Sequence, residues 1–169
     1  MTRSGLALVA VLLGLGTAQA ASLEDNVAMC GACHGENGIP QEKTTPVIWG
    51  QYEGYLYLQL RDYKRGDRKN EQMAPVAEQL ERDDMFALAK YFSQKQWPRL
   101  DQPAASAAVV ASAQRVNGSI GCTGCHQASY MGEGTQPRLA GQRREYMEQT
   151  MLDFRTQKRG NSIIAFTVD

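Results

Sequence analysis

The sequence predicts an all-α protein built from two small modules in tandem, and three observations lead to this prediction. Apolar residues recur at helical spacing in several segments, whereas no segment shows the two-residue alternation of a half-buried strand. A Cys-x-x-Cys-His pentapeptide occurs twice, at 30–34 and 122–126, and the segments that follow each copy also match. Between the copies, residues 97–106 contain two prolines and several small residues, as linkers do.

The N-terminal segment is predicted to be a targeting signal rather than part of the fold. Arg3 is followed by an apolar run at 6–15, and residues 18–20 (Ala-Gln-Ala) have the small-residue pattern of a cleavage site. The run is too short for an ordinary membrane span, so we expect export to the periplasm and cleavage after Ala20. The alternative is an uncleaved N-terminal anchor. No later segment is apolar enough to span a bilayer, which predicts a soluble mature product.

The domain organisation follows from these boundaries. We predict a signal peptide at 1–20, a first domain at 21–97, a linker at 98–105 and a second, incomplete domain at 106–169. Domains of this size bury only a small hydrophobic core, so an additional stabilising group inside each domain is expected. The 18 basic and 18 acidic side chains balance, which argues against nucleic acid as a partner. A peripheral association with the membrane is left open.

The two pentapeptides contain every cysteine and histidine of the chain. Their spacing is that of covalent c-type haem attachment, because two cysteines on one helical turn can both reach the porphyrin edge as thioethers and the next histidine can bind the iron. The motifs predict two covalent haem c groups. The attachment residues would be Cys30, Cys33, Cys122 and Cys125, and the proximal iron ligands would be His34 and His126. Thiol–disulfide exchange and zinc binding are the alternatives, and the export signal together with the histidine after each pair favours haem.

A proline follows each predicted iron ligand at a similar distance. Pro46 lies twelve residues after His34, and Pro137 lies eleven residues after His126. A ligating histidine usually donates from its other ring nitrogen to a carbonyl, which sets the tautomer of the ring. Proline has no N–H and presents a rigid carbonyl, so Pro46 and Pro137 are candidate acceptors, with ordinary turns as the alternative.

The chain is an internal duplication. The segment 46–51 (PVIWGQ) corresponds to 137–142 (PRLAGQ) at an offset of 91 residues. At the same offset, Tyr55, Asp62 and Arg68 correspond to Tyr146, Asp153 and Arg159. The haem motifs are 92 residues apart, so the loop between histidine and proline is one residue longer in the first module than in the second. Changes in length are tolerated in such loops.

Three helices are predicted in the first module. Ser22 can cap a helix that carries the first haem cysteines, and a second helix covers about 53–64, where Tyr and Leu recur at helical spacing. The third begins near Asp83 or Asp84. Its apolar stripe is Met85, Leu88, Ala89 and Phe92. Residues 35–47 and 66–74 are expected to be loops.

Met73 is the candidate sixth ligand of the first haem. It lies 39 residues after His34, in the predicted loop at 66–74, where its side chain could cross the haem face. A thioether opposite histidine raises the reduction potential, and filling both axial positions favours electron transfer over ligand chemistry. The alternative is that Met73 packs in the core, as most methionines do.

The second module has no equivalent methionine. Helices are predicted near 106–117 and 143–154, and Met147 and Met151 are expected in the core of this module. The positions that correspond to Met73 are Ile164 or Thr167, depending on the alignment, and neither side chain binds iron well. One account is an open second haem that could bind peroxide, NO or CO. The other, which we favour, is a truncated or frame-shifted sequence, because a packing helix is lost together with the ligand.

These features occur together in one known family. With its two Cys-x-x-Cys-His motifs, its Pro-x-x-x-Gly-Gln segments and the Gly-Asp-Arg-x-Asn-x-x-Met loop at 66–73, the chain resembles the dihaem class I cytochromes c of the cytochrome c4 type. The resemblance covers residues 23–161. It implies a tandem pair of small cytochrome c-like haem domains packed face to face, and a periplasmic electron shuttle to a terminal oxidase, another cytochrome or a sulfur-oxidising dehydrogenase. The axial ligands that it implies are His34, Met73 and His126.

Three functions are compatible with these features. The first is an electron carrier that is not itself an enzyme, since no nucleophile or acid–base pair is evident and both histidines are assigned to iron. The second is the electron-accepting cytochrome subunit of a periplasmic sulfide or thiosulfate dehydrogenase. The third is a haem protein that reacts with small ligands or peroxide through an open second haem, which is disfavoured because no spare histidine is present.

Overall fold

The computed structural model describes residues 21–160. The predicted signal peptide at 1–20 and the tail at 161–169, with Ile164 and Thr167, lie outside the described residues. Within 21–160 the chain forms helices and no strand, which confirms the all-α prediction. The helices are α1 (Leu23–His34), α2 (Glu53–Arg65), α3 (Met73–Glu78), α4 (Arg82–Ser93), α5 (Ala107–Ile120), α6 (Thr123–His126) and α7 (Arg144–Arg155). None of the helices in this described range is long and apolar enough to cross a bilayer.

The core of the first module lies between α1, α2 and α4. The predicted apolar stripe of α4 is confirmed, because all four of its members are buried and pack with Leu56 of α2 and with Leu80, which lies just before α4. Partly buried side chains of α1, including that of Cys30, pack against this cluster. The turn that carries the first Cys-x-x-Cys-His motif is thus anchored on the buried core of this module.

Helix α1 begins where the sequence predicts. The Ser22 side chain accepts a hydrogen bond from the Asp25 amide at 3.2 Å, and the Asp25 carboxylate accepts one from the Ser22 amide at 3.1 Å. This reciprocal pair is a capping box, which satisfies two of the amides that a helix start leaves without partners. The first motif therefore sits at the end of a well-capped helix.

Met73 does not lie in a loop, and this part of the prediction is wrong. It is the first residue of α3, a short helix that the sequence analysis did not predict. The side-chain oxygen of Asn70 accepts hydrogen bonds from the Gln72 amide at 3.0 Å and from the Met73 amide at 2.8 Å, and these bonds start the helix. Pro75 is compatible with the helix because it lies in the first turn, where its missing N–H is not needed.

The helices of the second module are less well packed than those of the first. Helix α5 starts after Ser106 as predicted but continues to Ile120, where Gly121 ends it in the left-handed conformation at φ +78°. In the described part of the chain no helix packs over α5 as α4 packs over α1, and Val109 and Ile120 remain 58% and 51% exposed. The expectation that Met151 is a core residue is wrong, since its side chain is 41% exposed. Met147 is half-buried.

Candidate functional site

His34 is held at the end of α1 by a contact to Pro46. Its side chain is 7% exposed, and its Nδ1 atom lies 2.8 Å from the Pro46 carbonyl oxygen. A carbonyl only accepts, so Nδ1 carries the proton and donates, which leaves the lone pair of Nε2 for a metal. Burial lowers the pKa of His34, and the hydrogen bond to Pro46 partly opposes this shift. The ring is therefore held neutral, in the tautomer that an iron ligand needs.

His126 has the same arrangement in the second module. It is 6% exposed, and its Nδ1 atom lies 2.9 Å from the Pro137 carbonyl oxygen. The Gly132 amide donates to the His126 carbonyl at 3.0 Å, which closes a tight turn after the histidine. Although the loop between histidine and proline differs by one residue, the two histidines end in matching environments.

The four cysteines are unpaired thiols, and they follow one pattern in both modules. The first cysteine of each pair, Cys30 or Cys122, is half-buried, and the second, Cys33 or Cys125, is exposed. Burial raises the pKa of the Cys30 thiol to about 11, so it remains a thiol at neutral pH. Each pair lies beside a buried, Nδ1-protonated histidine, and this donor set fits a covalently attached haem rather than a disulfide.

The surroundings of the two motifs differ. In the first module the motif forms the last turns of α1, which contain Cys30, Cys33 and His34. In the second module Gly121 separates α5 from the short helix α6 that carries the motif. A groove of about 470 Å³ opens beside Cys122 and is lined mainly by α5 and by Tyr130. The apolar side chains in this groove, among them Val109 and Val116, are of the kind that pack against a porphyrin face.

Two glutamines join the modules, and sequence reasoning did not assign them a role. The Gln142 side chain accepts from the Val47 amide at 2.8 Å and donates to the Val47 carbonyl at 2.9 Å. The Gln51 side chain accepts from the Arg138 amide at 2.9 Å and donates to the Arg138 carbonyl at 3.0 Å. Because the two glutamines correspond in the repeat, as do Val47 and Arg138, the modules meet about a pseudo-twofold axis. The repeated Gly-Gln dipeptide was the available signal.

Arginine and tyrosine side chains form a second reciprocal contact between the modules. Arg68 donates to the Tyr146 hydroxyl at 3.2 Å, and Arg159 donates to the Tyr55 hydroxyl at 3.1 Å. Both guanidinium groups also donate to the Gln59 side-chain oxygen, at 2.7 Å and 2.9 Å respectively. Arg68 and Arg159 are only 9% and 6% exposed, so two positive charges lie in the boundary between the modules.

This charge changes the titration of the neighbouring tyrosines. Burial by itself opposes ionisation of Tyr146, but the charges of Arg68 and Arg159 outweigh it and lower the pKa of Tyr146 to about 7. For Tyr55 burial is the larger effect, and its pKa is raised. The two tyrosines correspond in the repeat, yet they differ in acidity because burial outweighs the arginine charges at Tyr55 and the charge of Tyr146 further opposes its ionisation.

A third pair of contacts connects the histidine–proline loops to the opposite module. The Tyr52 hydroxyl donates to the Gly132 carbonyl at 3.0 Å, and Arg143 donates to the Pro40 carbonyl. Tyr52 and Arg143 correspond in the repeat, so different side chains make equivalent contacts. Each loop between a histidine and its proline is thus held by the other module.

No protein-family model matches the chain. Cytochrome c4 of Pseudomonas aeruginosa is 35% identical over 167 residues, which cover 91% of this chain and 83% of that protein. The crystal structure of reduced recombinant cytochrome c4 from Pseudomonas stutzeri superposes with a TM-score of 0.75 at 29% identity, covering 90% of each chain. A thiosulfate dehydrogenase electron acceptor of Thiomonas intermedia is 30% identical over 152 residues, covering 85% of this chain and 70% of that protein.

Proposed function

The chain belongs to the cytochrome c4 family of electron-transfer proteins, and from this premise we propose that it carries electrons between periplasmic redox partners through two covalently bound haem c groups. One haem would be bound by the module at 21–97 and the other by the module at 106–169, joined by the linker at 98–105. Export would follow cleavage of the signal peptide at 1–20.

One observation carries this proposal, namely the pair of matching histidine–proline contacts. Each histidine is buried, donates from Nδ1 to a proline carbonyl and follows two unpaired thiols. When bound, haem c supplies an iron that cycles between the ferric and ferrous states by one electron. The chain would attach each group through two thioethers, and its histidine would offer Nε2 to the iron with the imidazole held in one orientation.

The residues that would hold each group are those that the sequence nominates. In the first module they are Cys30, Cys33, His34 with Pro46, and Met73 as the distal ligand. In the second they are Cys122, Cys125 and His126 with Pro137. Met73 is half-buried at the start of α3. Its amide donates a hydrogen bond to the Asn70 side chain, which fixes the backbone at this residue.

The test is the haem content and redox behaviour of the exported protein. We expect covalent mass for two haems per chain, reversible one-electron reduction of both, and no turnover of substrates by the protein alone. The double substitution Cys122→Ser, Cys125→Ser should leave one haem on the first module. A protein that matures with intact thiols and no covalent haem would contradict the proposal.

A second candidate is the electron-accepting subunit of a thiosulfate dehydrogenase, and the match to the Thiomonas intermedia protein supports it. The two candidates differ in the electron donor, not in the haem sites. The discriminating measurement is the rate at which the oxidised protein is reduced by a purified thiosulfate dehydrogenase with thiosulfate. Rapid reduction that requires both thiosulfate and the enzyme would favour this candidate, whereas no reduction would favour a general electron carrier.

A further inference from the structure

The glutamines that join the modules contact the peptide groups that orient the haem histidines. The Pro46 carbonyl, which accepts from His34, belongs to the same planar peptide group as the Val47 amide. That amide donates to the Gln142 side chain at 2.8 Å. A continuous hydrogen-bonded chain therefore leads from Gln142 of the second module, through one peptide group, to the imidazole of the first.

The equivalent chain runs in the opposite direction. The Pro137 carbonyl accepts from His126, and the same peptide group ends in the Arg138 amide, which donates to the Gln51 side chain at 2.9 Å. Each histidine is thus connected to a glutamine of the other module. The contact uses only backbone atoms of Val47 and Arg138, so it persists although one residue is apolar and the other basic.

Both glutamine side chains are held in one orientation. Gln51 is 3% exposed and Gln142 is 7% exposed. Each amide both donates and accepts across the boundary, so exchanging its oxygen and nitrogen would break two hydrogen bonds. Each oxygen also accepts from the next amide of its own chain segment, that of Tyr52 at 3.1 Å or that of Arg143 at 2.9 Å. An amide held in this way is a stable support for the peptide group it contacts.

We propose that Gln142 is a positioning residue for His34, and Gln51 for His126, so that each module sets the reduction potential of the haem in the other. The inference rests on the proposed haem binding. Hydrogen bonds in series polarise one another. A glutamine that accepts from the proline peptide therefore makes the proline carbonyl a stronger acceptor, and the histidine becomes a more basic ligand. A more basic ligand favours ferric iron and lowers the potential.

The test uses Gln142→Met and Gln51→Met in the haem-loaded protein, with potentials of the two haems determined separately by spectroelectrochemistry. Methionine fills a similar volume, but its thioether is only a weak acceptor for the peptide amide. We expect Gln142→Met to raise the potential of the haem bound to His34, with a severalfold change in its ratio of oxidised to reduced forms, where tenfold is about 59 mV. Gln51→Met should instead raise that of the haem bound to His126.

Two further variants distinguish a specific effect of the glutamine–peptide hydrogen bonds from a general loosening of the boundary between the modules. At pH 5.5, where Tyr146 is protonated and uncharged, Tyr146→Phe removes the hydrogen bond from Arg68 but leaves both proline peptides untouched, so it should not shift one haem selectively. Gln142→Glu keeps an acceptor for the Val47 amide, so the potential of the haem at His34 should stay at or below that of the wild type. The exchange of the His34 Nδ1 proton with solvent, followed by NMR, should be faster in Gln142→Met only.

The outcomes are distinguishable. Absence of covalent haem in the wild type would reject the proposed function. If haem is present, equal shifts of both haems in each glutamine variant, or a shift confined to the haem of the mutated module, would overturn the inference alone. Reciprocal shifts across the boundary would support it.

Discussion

Arg68 donates a hydrogen bond across the boundary between the modules to the hydroxyl of Tyr146, at 3.2 Å. The guanidinium of Arg159 adds a second positive charge nearby, and together they lower the pKa of Tyr146 to about 7 in spite of its burial. The boundary therefore contains a group that ionises near neutral pH, and the stability of the protein should depend on its charge.

Tyr146 should make the protein more stable as the pH rises from 7 to 10. Its pKa in the unfolded chain is about 10, so between these values the unfolded chain binds more protons than the folded protein, and the free energy of unfolding increases with pH. This contribution is complete above pH 10 and is lost as the pH falls through 7. The limiting slope is about 1.4 kcal/mol per pH unit for one proton. Tyr146→Phe should abolish the slope, as measured by denaturation at several pH values.

The control for this prediction is Tyr57→Phe. The Tyr57 ring stacks on Phe86 with 4.0 Å between ring centroids, and the substitution preserves this contact. It should leave the dependence on pH unchanged. Equal slopes for the wild type and Tyr146→Phe would show that Tyr146 does not ionise in this range.

Gly132 is expected to be essential for the geometry of the second histidine. It lies at φ +70°, and a Cβ atom there would be 2.4 Å from the Gln136 carbonyl oxygen and 2.5 Å from that of Pro137. The Pro137 carbonyl is the acceptor for His126, so Gly132→Ala must displace it. We expect a loss of several kcal/mol in stability and a higher potential for the haem bound to His126, measured by denaturation and spectroelectrochemistry.

Gly134→Ala is the matched control in the same loop. Gly134 also has positive φ, +60°, but a Cβ atom there would meet nothing within 4 Å. Gly134→Ala should lower the free energy of unfolding only by the strain of the left-handed backbone, about 1–2 kcal/mol. If both alanine variants behaved alike, the crowding at Pro137 would have no consequence for the site.

The core of the first module should be sensitive to truncation. Leu88 is 1% exposed and packs among α1, α2 and α4. Leu88→Ala should lower the free energy of unfolding by about 2–5 kcal/mol, since it removes buried methyl groups and leaves a cavity. Leu152→Ala, at a position that is 51% exposed, should change it by less than about 0.5 kcal/mol. Guanidinium titrations followed by circular dichroism would compare them, and similar costs would contradict the assigned core.

Of the methionines in the sequence, we expect only Met73 to bind the iron of the first haem, so only its removal should vacate the sixth position there. In Met73→Ala we expect the weak far-red band of methionine-ligated ferric haem to disappear and the potential of this haem to fall, because the thioether favours ferrous iron. After reduction, Met73→Ala should bind one more CO per chain than the wild type. Met131→Ala, in the loop between His126 and Pro137 of the second module, is the control and should keep the band. Persistence of the band in Met73→Ala would exclude this ligand.

Much of this protein could be predicted from local patterns in its sequence. The spacing of Cys30, Cys33 and His34 specifies haem chemistry because all three side chains lie on one or two turns of helix. The apolar stripe of α4 and the cap at Ser22 are equally local, so they were predicted correctly. The helical position of Met73 is not predictable in the same way, because α3 depends on a hydrogen bond that the Met73 amide donates to the Asn70 side-chain oxygen, which composition does not reveal.

The sequence alone determined that the chain is a duplicated, helical protein with two haem-attachment motifs, since covalent spacing and repeats are readable along a single chain. Only the tertiary structure decided how the modules face each other. Gln142 and Val47 are 95 residues apart in sequence, and Gln51 and Arg138 are 87 apart, yet each pair is hydrogen-bonded. Such pairings depend on how two whole surfaces fit together, so the connection between each glutamine and the opposite histidine became visible only when the modules were seen packed.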